Sequence, residues 1–459
     1  MTKNIIYIGL GSNVGNRLES LNRAWSLLQK GLGKIITSSS VYETLPWGIR
    51  EQRNFYNAII GIETEIQDPY TILAQLKGIE KKIGRIQRVR NGPREIDLDI
   101  ILHGSKVINE DKLQIPHPRA AQRAFVVTPL LEAIAQLRES HDSTFVQRWL
   151  EDHVDPHLKN QQPQKLLVPL DSDEKEKNWI ANERTLVMGI INATPDSFSD
   201  GGHLSSVQSA IDFGLRLVDQ GADILDLGGE STRPGAKIPN IQIELDRVLP
   251  IIQALRTKIP SIPLSIDTRR AQVAKEAANA GVSIINDVSG GRFDPNLLSM
   301  LAQDFPALIY IATHSRGDPT NMNQLTHYEH DKVALTAAQE LVDTTLQPAM
   351  NFGIAPWRLI TDPGLGFAKN IQQNFELMRN ISTFKHHALN LPLLVGPSRK
   401  SFIGHALQQD SRQTVPPHLR DWATAGACCA LIPSADIVRV HNVRGVKDAL
   451  LLADAISRR

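Results

Sequence analysis

Two carboxylates, Asp97 and Asp99, stand two residues apart in the chain. On a strand, a period of two puts both on one face and leaves Ile96, Leu98 and Ile100 on the other. Carboxylates sharing a face repel and lose hydration unless a cation joins them. Mg²⁺ carrying nucleotide phosphates is the natural partner, and a solvated polar face is the plain alternative. Arg85, Arg88, Arg90 and Arg94 lie just upstream. They form either a clamp for polyphosphate, through planar guanidinium forks, or a solvated charged loop.

A second set lies further along, where polar residues follow apolar runs. Asn192 ends one run; Gly229, Thr232 and Arg233 follow the next; Asp267, Asn286, His314 and Asp362 follow four more. Ser398, Arg399, Lys400 and Ser401 follow a seventh, and Arg439 and His441 close an eighth. Any one of these is bland, since an Asp at a strand end is often a helix cap. Together they offer a chemistry. Arg439, His441 and Arg233 could grip a phosphate or diphosphate. Asp267, Asn286 and Asp362 could accept the N–H groups of a flat heterocycle, with Lys400 donating to a ring oxygen or nitrogen. Asn192 could help hold Mg²⁺ through phosphate oxygens. The chain has no HExxH zinc motif and no GxxxxGK[ST] phosphate loop. Gly9, Gly11 and Gly15 are spaced GxGxxxG, which predicts a tight strand-to-helix turn over 11–16 rather than a dinucleotide site.

The elements that position these residues fall into two parts. In the first, 5–8, 35–42, 56–65 and 96–102 read as strands, and 16–29 and 70–83 as helices. Three or four strands with two or three helices, without regular βαβ spacing, predict a compact α/β sandwich. In the second, strand-like runs at 187–191, 224–227, 263–266, 283–285, 308–311, 359–361, 393–395 and 437–440 alternate with helical segments. Eight such units over ~260 residues predict a (β/α)8 TIM barrel, whose chemistry sits where strands end. Between the parts, 151–182 is polar and Pro- and Gln-rich, with 166–168 placed to dock as a short strand. The expected division is 1–160, a linker at 161–182, and 183–459.

Composition closes off other classes. The 459 residues are 41% hydrophobic and 22% charged, too apolar for a disordered chain. A net charge of +1 gives no general case for nucleic acid or an anionic membrane. Cys428 and Cys429 are adjacent in an apolar run and read as core thiols, not a metal or redox pair. No window supplies a membrane span and the N-terminus does not read as a targeting segment, so a cytoplasmic protein is expected.

Several strings now carry a resemblance. Gly11-Ser12-Asn13-Val14-Gly15-Asn16-Arg17, Phe55-Tyr56-Asn57-Ala58, Gly92-Pro93-Arg94-Glu95-Ile96-Asp97-Leu98-Asp99 and Pro116-His117-Pro118-Arg119 resemble the 6-hydroxymethyl-7,8-dihydropterin pyrophosphokinases. Residues 192–202, 229–235 and 362–367, with Ser398-Arg399-Lys400-Ser401-Phe402, resemble the dihydropteroate synthases. The first resemblance implies a ferredoxin-like α/β core, ATP as co-substrate, and diphosphoryl transfer to the pterin hydroxymethyl with release of AMP. It implies that Asp97 and Asp99 hold two Mg²⁺ ions. Asn57, with backbone near Thr44 and Leu45, would read the pterin edge, and Phe55 and Phe125 would sandwich the ring. Glu80, Arg85, Arg94, His117, Arg119 and Arg123 would lie near nucleotide and phosphates. Asn91 and Pro118 depart from residues that some members carry, Trp and Tyr.

The second resemblance implies condensation of the pterin diphosphate with 4-aminobenzoate to 7,8-dihydropteroate. Asp267, Asn286, Asp362 and Lys400 would form the pterin pocket. Asn192, Arg439 and His441 would form the Mg²⁺–diphosphate site, and Thr232, Arg233 and Ser401 the aminobenzoate side. Ser315 replaces a commonly apolar residue, with a modest packing effect expected. A homodimer through the barrel is also implied. Three other readings stay open: one half decayed to a scaffold, a pterin-dependent methyltransferase barrel, and a non-catalytic pterin-binding module.

Overall fold

The computed structural model describes residues 4–89, 91–137, 141–155, 158, 163–170, 179–193, 206–230, 239–318, 320–330, 332–408 and 415–458. The chain forms two compact units, Met1–Ala181 with Gly353–Trp357, and Asn182–Phe352 with Arg358–Arg459.

The first unit is built on β1 (Asn4–Ser12), β2 (Lys34–Ser38), β3 (Tyr42–Thr44), β4 (Phe55–Thr64) and β5 (Asp97–His103). A short hairpin, β6 (Ile108–Glu110) with β7 (Leu113–Ile115), follows. The last strands are β8 (Gln164–Val168) and β9 (Trp179–Ile180). The sheet runs β5-β1-β4-β3-β8-β9, with β2 also paired to β4. Helices α1 (Arg17–Gly31) and α2 (Pro69–Ile83) come early in the chain, and α3 (Ala124–Ala135) and α4 (His141–His153) later. The sequence explains the boundaries of α1 and α2. Asn16 caps α1 by accepting from Glu19 N at 2.9 Å. Asp68 caps α2, Pro69 opens it, and Gly84 ends it in the left-handed region at φ 105°.

This sheet is larger than the three or four strands expected. One expected strand divides into β2 and β3, and the segment read as a linker supplies β8 and β9. Leu166 and Val168 explain the latter, because both side chains are buried at the sheet's edge. One layer of core joins Tyr7, Ile59 and Ile101 of the sheet to Val126, Val127, Leu130 and Ile134 of α3 and Val146 and Leu150 of α4.

The second unit carries eight parallel strands: β10 (Leu186–Asn192), β11 (Ile224–Gly228), β12 (Leu264–Asp267), β13 (Ile284–Asp287), β14 (Ile309–Thr313), β15 (Leu359–Asp362), β16 (Leu394–Val395) and β17 (Ile437–Val440). They pair in the order β15-β14-β13-β12-β11-β10-β17-β16. A parallel bridge between Thr361 and Leu393 joins β15 towards β16, so the sheet comes round nearly to closure as a TIM barrel. Each strand is almost wholly buried, as expected where helices cover a parallel sheet. Cys428 is a buried thiol, while Cys429 is half-buried on the same helix, Asp421–Ala430. No helix among the described residues is long and apolar enough to cross a membrane.

Candidate active sites

In the first unit, strand register assembles the floor of a cleft. Gly11 pairs with Asp97 on one side and Asn57 on the other, and Gly9 pairs with Asp99 and Ile59. One face therefore presents Phe55, Asn57 and Ile59, then Gly9 and Gly11, then Asp97, Asp99 and Ile101. Both glycines are inside β1, so Gly11 is not part of the turn expected over 11–16. A Cβ on Gly11 would sit 3.1 Å from Asn57 Oδ1, and one on Gly9 would sit 3.2 Å from Ile101 Cδ1. Side chains there would fill the floor. The turn itself is confined to Asn13–Gly15, with Gly15 at φ 63°.

That turn explains why two distant motifs act together. Asn13 Oδ1 accepts from Arg94 N at 2.8 Å, Asn13 N donates to Arg94 O at 3.0 Å, and Ser12 Oγ donates to Glu95 O at 2.7 Å. Arg94 is thereby held over the floor, ion-paired with Asp97. Arg85 meets the other Asp97 oxygen at 2.8 Å. Asn57 Nδ2 donates to Thr44 Oγ1 at 2.6 Å. The cleft measures about 230 Å³ and is walled by Thr44, Leu45, Phe55, Asn57, Arg94, His117, Arg119, Arg123 and Phe125. These nine residues singled out from sequence thus share one cavity with Asp97 and Asp99.

Burial, and next the charge of Asp97, push Asp99 up to about 6. Burial, with Arg123 and Arg119 next, pushes His117 down to about 4, so it is a neutral ring. The two carboxylates are oxygen donors of the kind a hard divalent cation takes, but Asp97 is ion-paired with Arg94 and Arg85, and the described residues gather no group of three acidic, histidine or cysteine donors. Other expected residues stand elsewhere. Glu80 and Arg85 do not line the cleft. Glu80 is buried behind it, ion-paired with Arg85 and Lys77 and accepting from Leu98 N at 2.9 Å. Arg88 is paired with Glu95, and Arg90 lies outside the described residues. Trp47 lines the cleft and was not singled out from sequence. It is 46% exposed, and Arg123 lies 5.9 Å from its ring and 5.4 Å from that of Phe125.

In the second unit, the polar residues meet at the strand ends. Asn192 pairs with Gly228, Gly228 with Asp267, and Asp267 with Asn286, a continuous row across four strands. Arg439 reaches this row from β17. Its Nη2 meets Asp267 Oδ2 at 2.8 Å, and its Nε meets Asp226 Oδ2 at 2.6 Å. Asn286 Nδ2 donates to the same Asp226 oxygen at 3.1 Å. Asp226 was not singled out, because it lies mid-strand between Leu225 and Leu227 in an apolar run.

Asp362 ends β15 and accepts from Gly364 N at 2.8 Å. Lys400 donates to the Leu365 carbonyl and lies 4.9 Å from the Phe367 ring centroid. Lys369, also missed from sequence, holds this loop in place. Its Nζ bonds Gly364 O and Phe367 O at 3.1 Å and His314 Nδ1 at 3.0 Å. Burial pushes Lys400 down to about 8, against the pull of Asp362. Burial pushes Asp267 up to about 7, against Arg439. His441 N donates to Ser398 Oγ at 3.1 Å, and that hydroxyl lies 2.9 Å from His441 Nδ1. A neutral ring that accepts the hydroxyl proton at Nδ1 carries its own proton on Nε2, where it can be donated to an oxyanion. Ser401 is exposed at the start of the helix Ser401–Ala406, and Ser315 is buried. Thr232 and Arg233 lie outside the described residues.

The comparisons cover both units. Residues 7–135 match the 7,8-dihydro-6-hydroxymethylpterin-pyrophosphokinase family, and residues 188–441 match the pterin binding enzymes. The mitochondrial folate synthesis bifunctional protein of Arabidopsis thaliana is 36% identical over 477 residues, covering 100% of this chain and 84% of its own length. The dihydropteroate synthase of Synechocystis is 44% identical over 291 residues, covering 63% of this chain and 96% of its own. The crystal structure of Plasmodium falciparum HPPK-DHPS with pteroate covers 99% of this chain and 98% of its own, with a TM-score of 0.70 at 23% identity, and so speaks for the fold. The order of the two family matches along one chain, and the full-length likeness to a bifunctional relative, make this protein a member of the bifunctional folate-synthesis family that joins a hydroxymethyldihydropterin pyrophosphokinase to a dihydropteroate synthase.

Proposed function

We propose that the two sites carry consecutive steps with the residues placed as follows. In the first cleft a dihydropterin lies between Phe55 and Phe125, with Asn57 at its polar edge. Its hydroxymethyl oxygen attacks the β-phosphorus of ATP, the bond from that phosphorus to the α,β-bridging oxygen breaks, and AMP leaves. Arg94, Arg119 and Arg123 orient the polyphosphate and offset its growing charge. Asp97 and Asp99 would hold Mg²⁺, which supplies further charge neutralisation at the phosphoryl oxygens. No nucleophilic side chain is needed, because positioning and electrostatics carry this chemistry. The observation that carries the reading is the single cleft in which aromatic faces, an amide, two carboxylates and three arginines converge.

In the barrel, Asp267, Asn286 and Asp362 accept the N–H groups of the pterin, and Lys400 donates to it. Arg439 and His441 stabilise the departing diphosphate as its bond to the pterin methylene breaks. The amine nitrogen of 4-aminobenzoate then bonds to that carbon, giving 7,8-dihydropteroate. Asn192 would share Mg²⁺ with the diphosphate. Thr232, Arg233 and Ser401 face the aminobenzoate in this reading. A homodimer through the barrel belongs to the same reading. Trp422 and Leu452, 85% and 66% exposed on neighbouring helices, are the kind of apolar surface that such pairing covers.

A mass-resolved assay tests the scheme. The protein receives 6-hydroxymethyl-7,8-dihydropterin, ATP, Mg²⁺ and 4-aminobenzoate, and AMP, diphosphate and dihydropteroate are followed together. AMP and dihydropteroate are expected in equal amounts. AMP with accumulating pterin diphosphate would mean a silent barrel. Dihydropteroate formed only from supplied pterin diphosphate would mean a silent first unit.

A further inference from the structure

Two residues assigned to the barrel's ligands, Arg439 and Asn286, meet on one carboxylate that has no role so far. Asp226 is fully buried. Its Oδ2 takes Arg439 Nε at 2.6 Å and Asn286 Nδ2 at 3.1 Å. Asn286 is 2% exposed, and its Oδ1 has no partner among the described residues. A buried amide oxygen left without a donor costs stability unless a ligand supplies one.

An asparagine side chain can present either its oxygen or its nitrogen to a ligand, and the two ends differ little in shape. What decides is the neighbour on the other side. A carboxylate paired with a guanidinium has only acceptor atoms. It therefore draws Nδ2 of Asn286 to itself and leaves Oδ1, buried and without a partner among the described residues, for a ligand N–H. The pocket then offers acceptors from Asn286, Asp267 and Asp362 together, a pattern that fits a heterocycle edge rich in N–H groups.

We infer that Asp226 is a positioning residue that sets the amide orientation of Asn286 and so makes the pocket selective for a ligand N–H at that point. The inference rests on the placement of the pterin against Asn286. Asp226 also anchors Arg439 through Nε. The arginine can then release Asp267 to the pterin while staying fixed at its other end.

The test is selectivity, not rate alone. Barrel turnover is measured with the pterin diphosphate and two analogues, one lacking the exocyclic amine and one methylated at the ring N–H. N286A first identifies the analogue whose discrimination depends on Asn286. D226A should then lose the same discrimination by about tenfold or more, since an unmatched buried polar group is what rejects an analogue. Discrimination against the other analogue should persist. D226N should keep selectivity while kcat falls, because Arg439 still demands an oxygen at the shared position and Asn286 still donates to it.

Parallel loss on all three substrates in D226A would overturn the inference. If D226A does not fold, the wild-type chain still decides. The Asn286 side-chain amide protons, assigned by their loss in N286A, should exchange slowly with solvent before ligand is added. Exchange at the free rate would overturn the inference. An N286A variant that changes neither discrimination would overturn the pterin placement itself, a failure seen before Asp226 is touched.

Discussion

The two units handle the same pterin with opposite architectures. The first gathers its groups on one face of an antiparallel sheet with arginines among them, and the Arg94–Asp97 pair stays partly exposed. Asp97 and Arg94 keep 21% and 26% of their side-chain surface. The second draws one or two groups from each of several strand ends onto a fully buried anion: Asp226 is 0% exposed between Asn286 and Arg439, while Arg439 itself keeps 21% of its side-chain surface. An open site can lose a charge at the expense of chemistry alone. A buried network loses chemistry and stability together, because removing one partner strands the other.

Substitutions should separate the two cases. The largest effect is expected for D97A, with loss of AMP formation by ~10³-fold or more. Its melting temperature should stay close to that of the parent, and dihydropteroate formation from supplied pterin diphosphate should continue. R439M should lower barrel turnover by ~10²–10³-fold. Unlike D97A, it should also destabilise the barrel by about 3–5 kcal/mol at neutral pH, read by denaturant titration. Equal stability of the two variants would break the contrast.

A smaller effect is expected from pH. Burial raises Asp267 to about 7 and lowers Lys400 to about 8. Ionised Asp267 offers both oxygens as acceptors, whereas protonation turns one of them into a donor, so barrel kcat/KM should fall as pH drops through about 7. Lys400 donates as an ammonium, so it should also fall as pH rises through about 8. In K400R the upper limb should move to higher pH, because a guanidinium stays charged. A flat profile between 6 and 9 would remove both groups from the reacting site. The smallest effect is expected for G11A. Its methyl would crowd Asn57 and should raise the kinase KM for the pterin about tenfold, the scale of a mild overpacking.

How far the sequence disclosed this depended on how each site is made. Asp97 and Asp99 were legible because a two-residue spacing converts directly into one face of a strand. The barrel's rim was legible because polar residues recur where apolar runs end. Asp226 was not, since a single acid inside an apolar run looks like a strand interior until register brings Arg439 and Asn286 to it. Trp47 was hidden for another reason. It lies between β3 and β4, where no periodicity marks a direction, and only the fold turns its ring to the cleft. Glu80 is the converse case. It is near the site in space, yet its carboxylate is committed to Arg85 and the backbone of β5.

The strands β8 and β9 have a practical meaning for anyone dividing this protein. Gln164 and Lys165 pair with Glu43 and Tyr42, and Lys165 Nζ reaches Glu132 at 2.5 Å. A fragment cut at residue 160 would leave β3 as a bare edge, free to recruit the edge of another molecule. The damage would not stop at solubility. β3 also carries Thr44, the acceptor for Asn57 Nδ2, so a frayed edge would release the amide that reads the pterin. A stretch that looks like tether in composition is a splint in three dimensions, and a working fragment has to keep it.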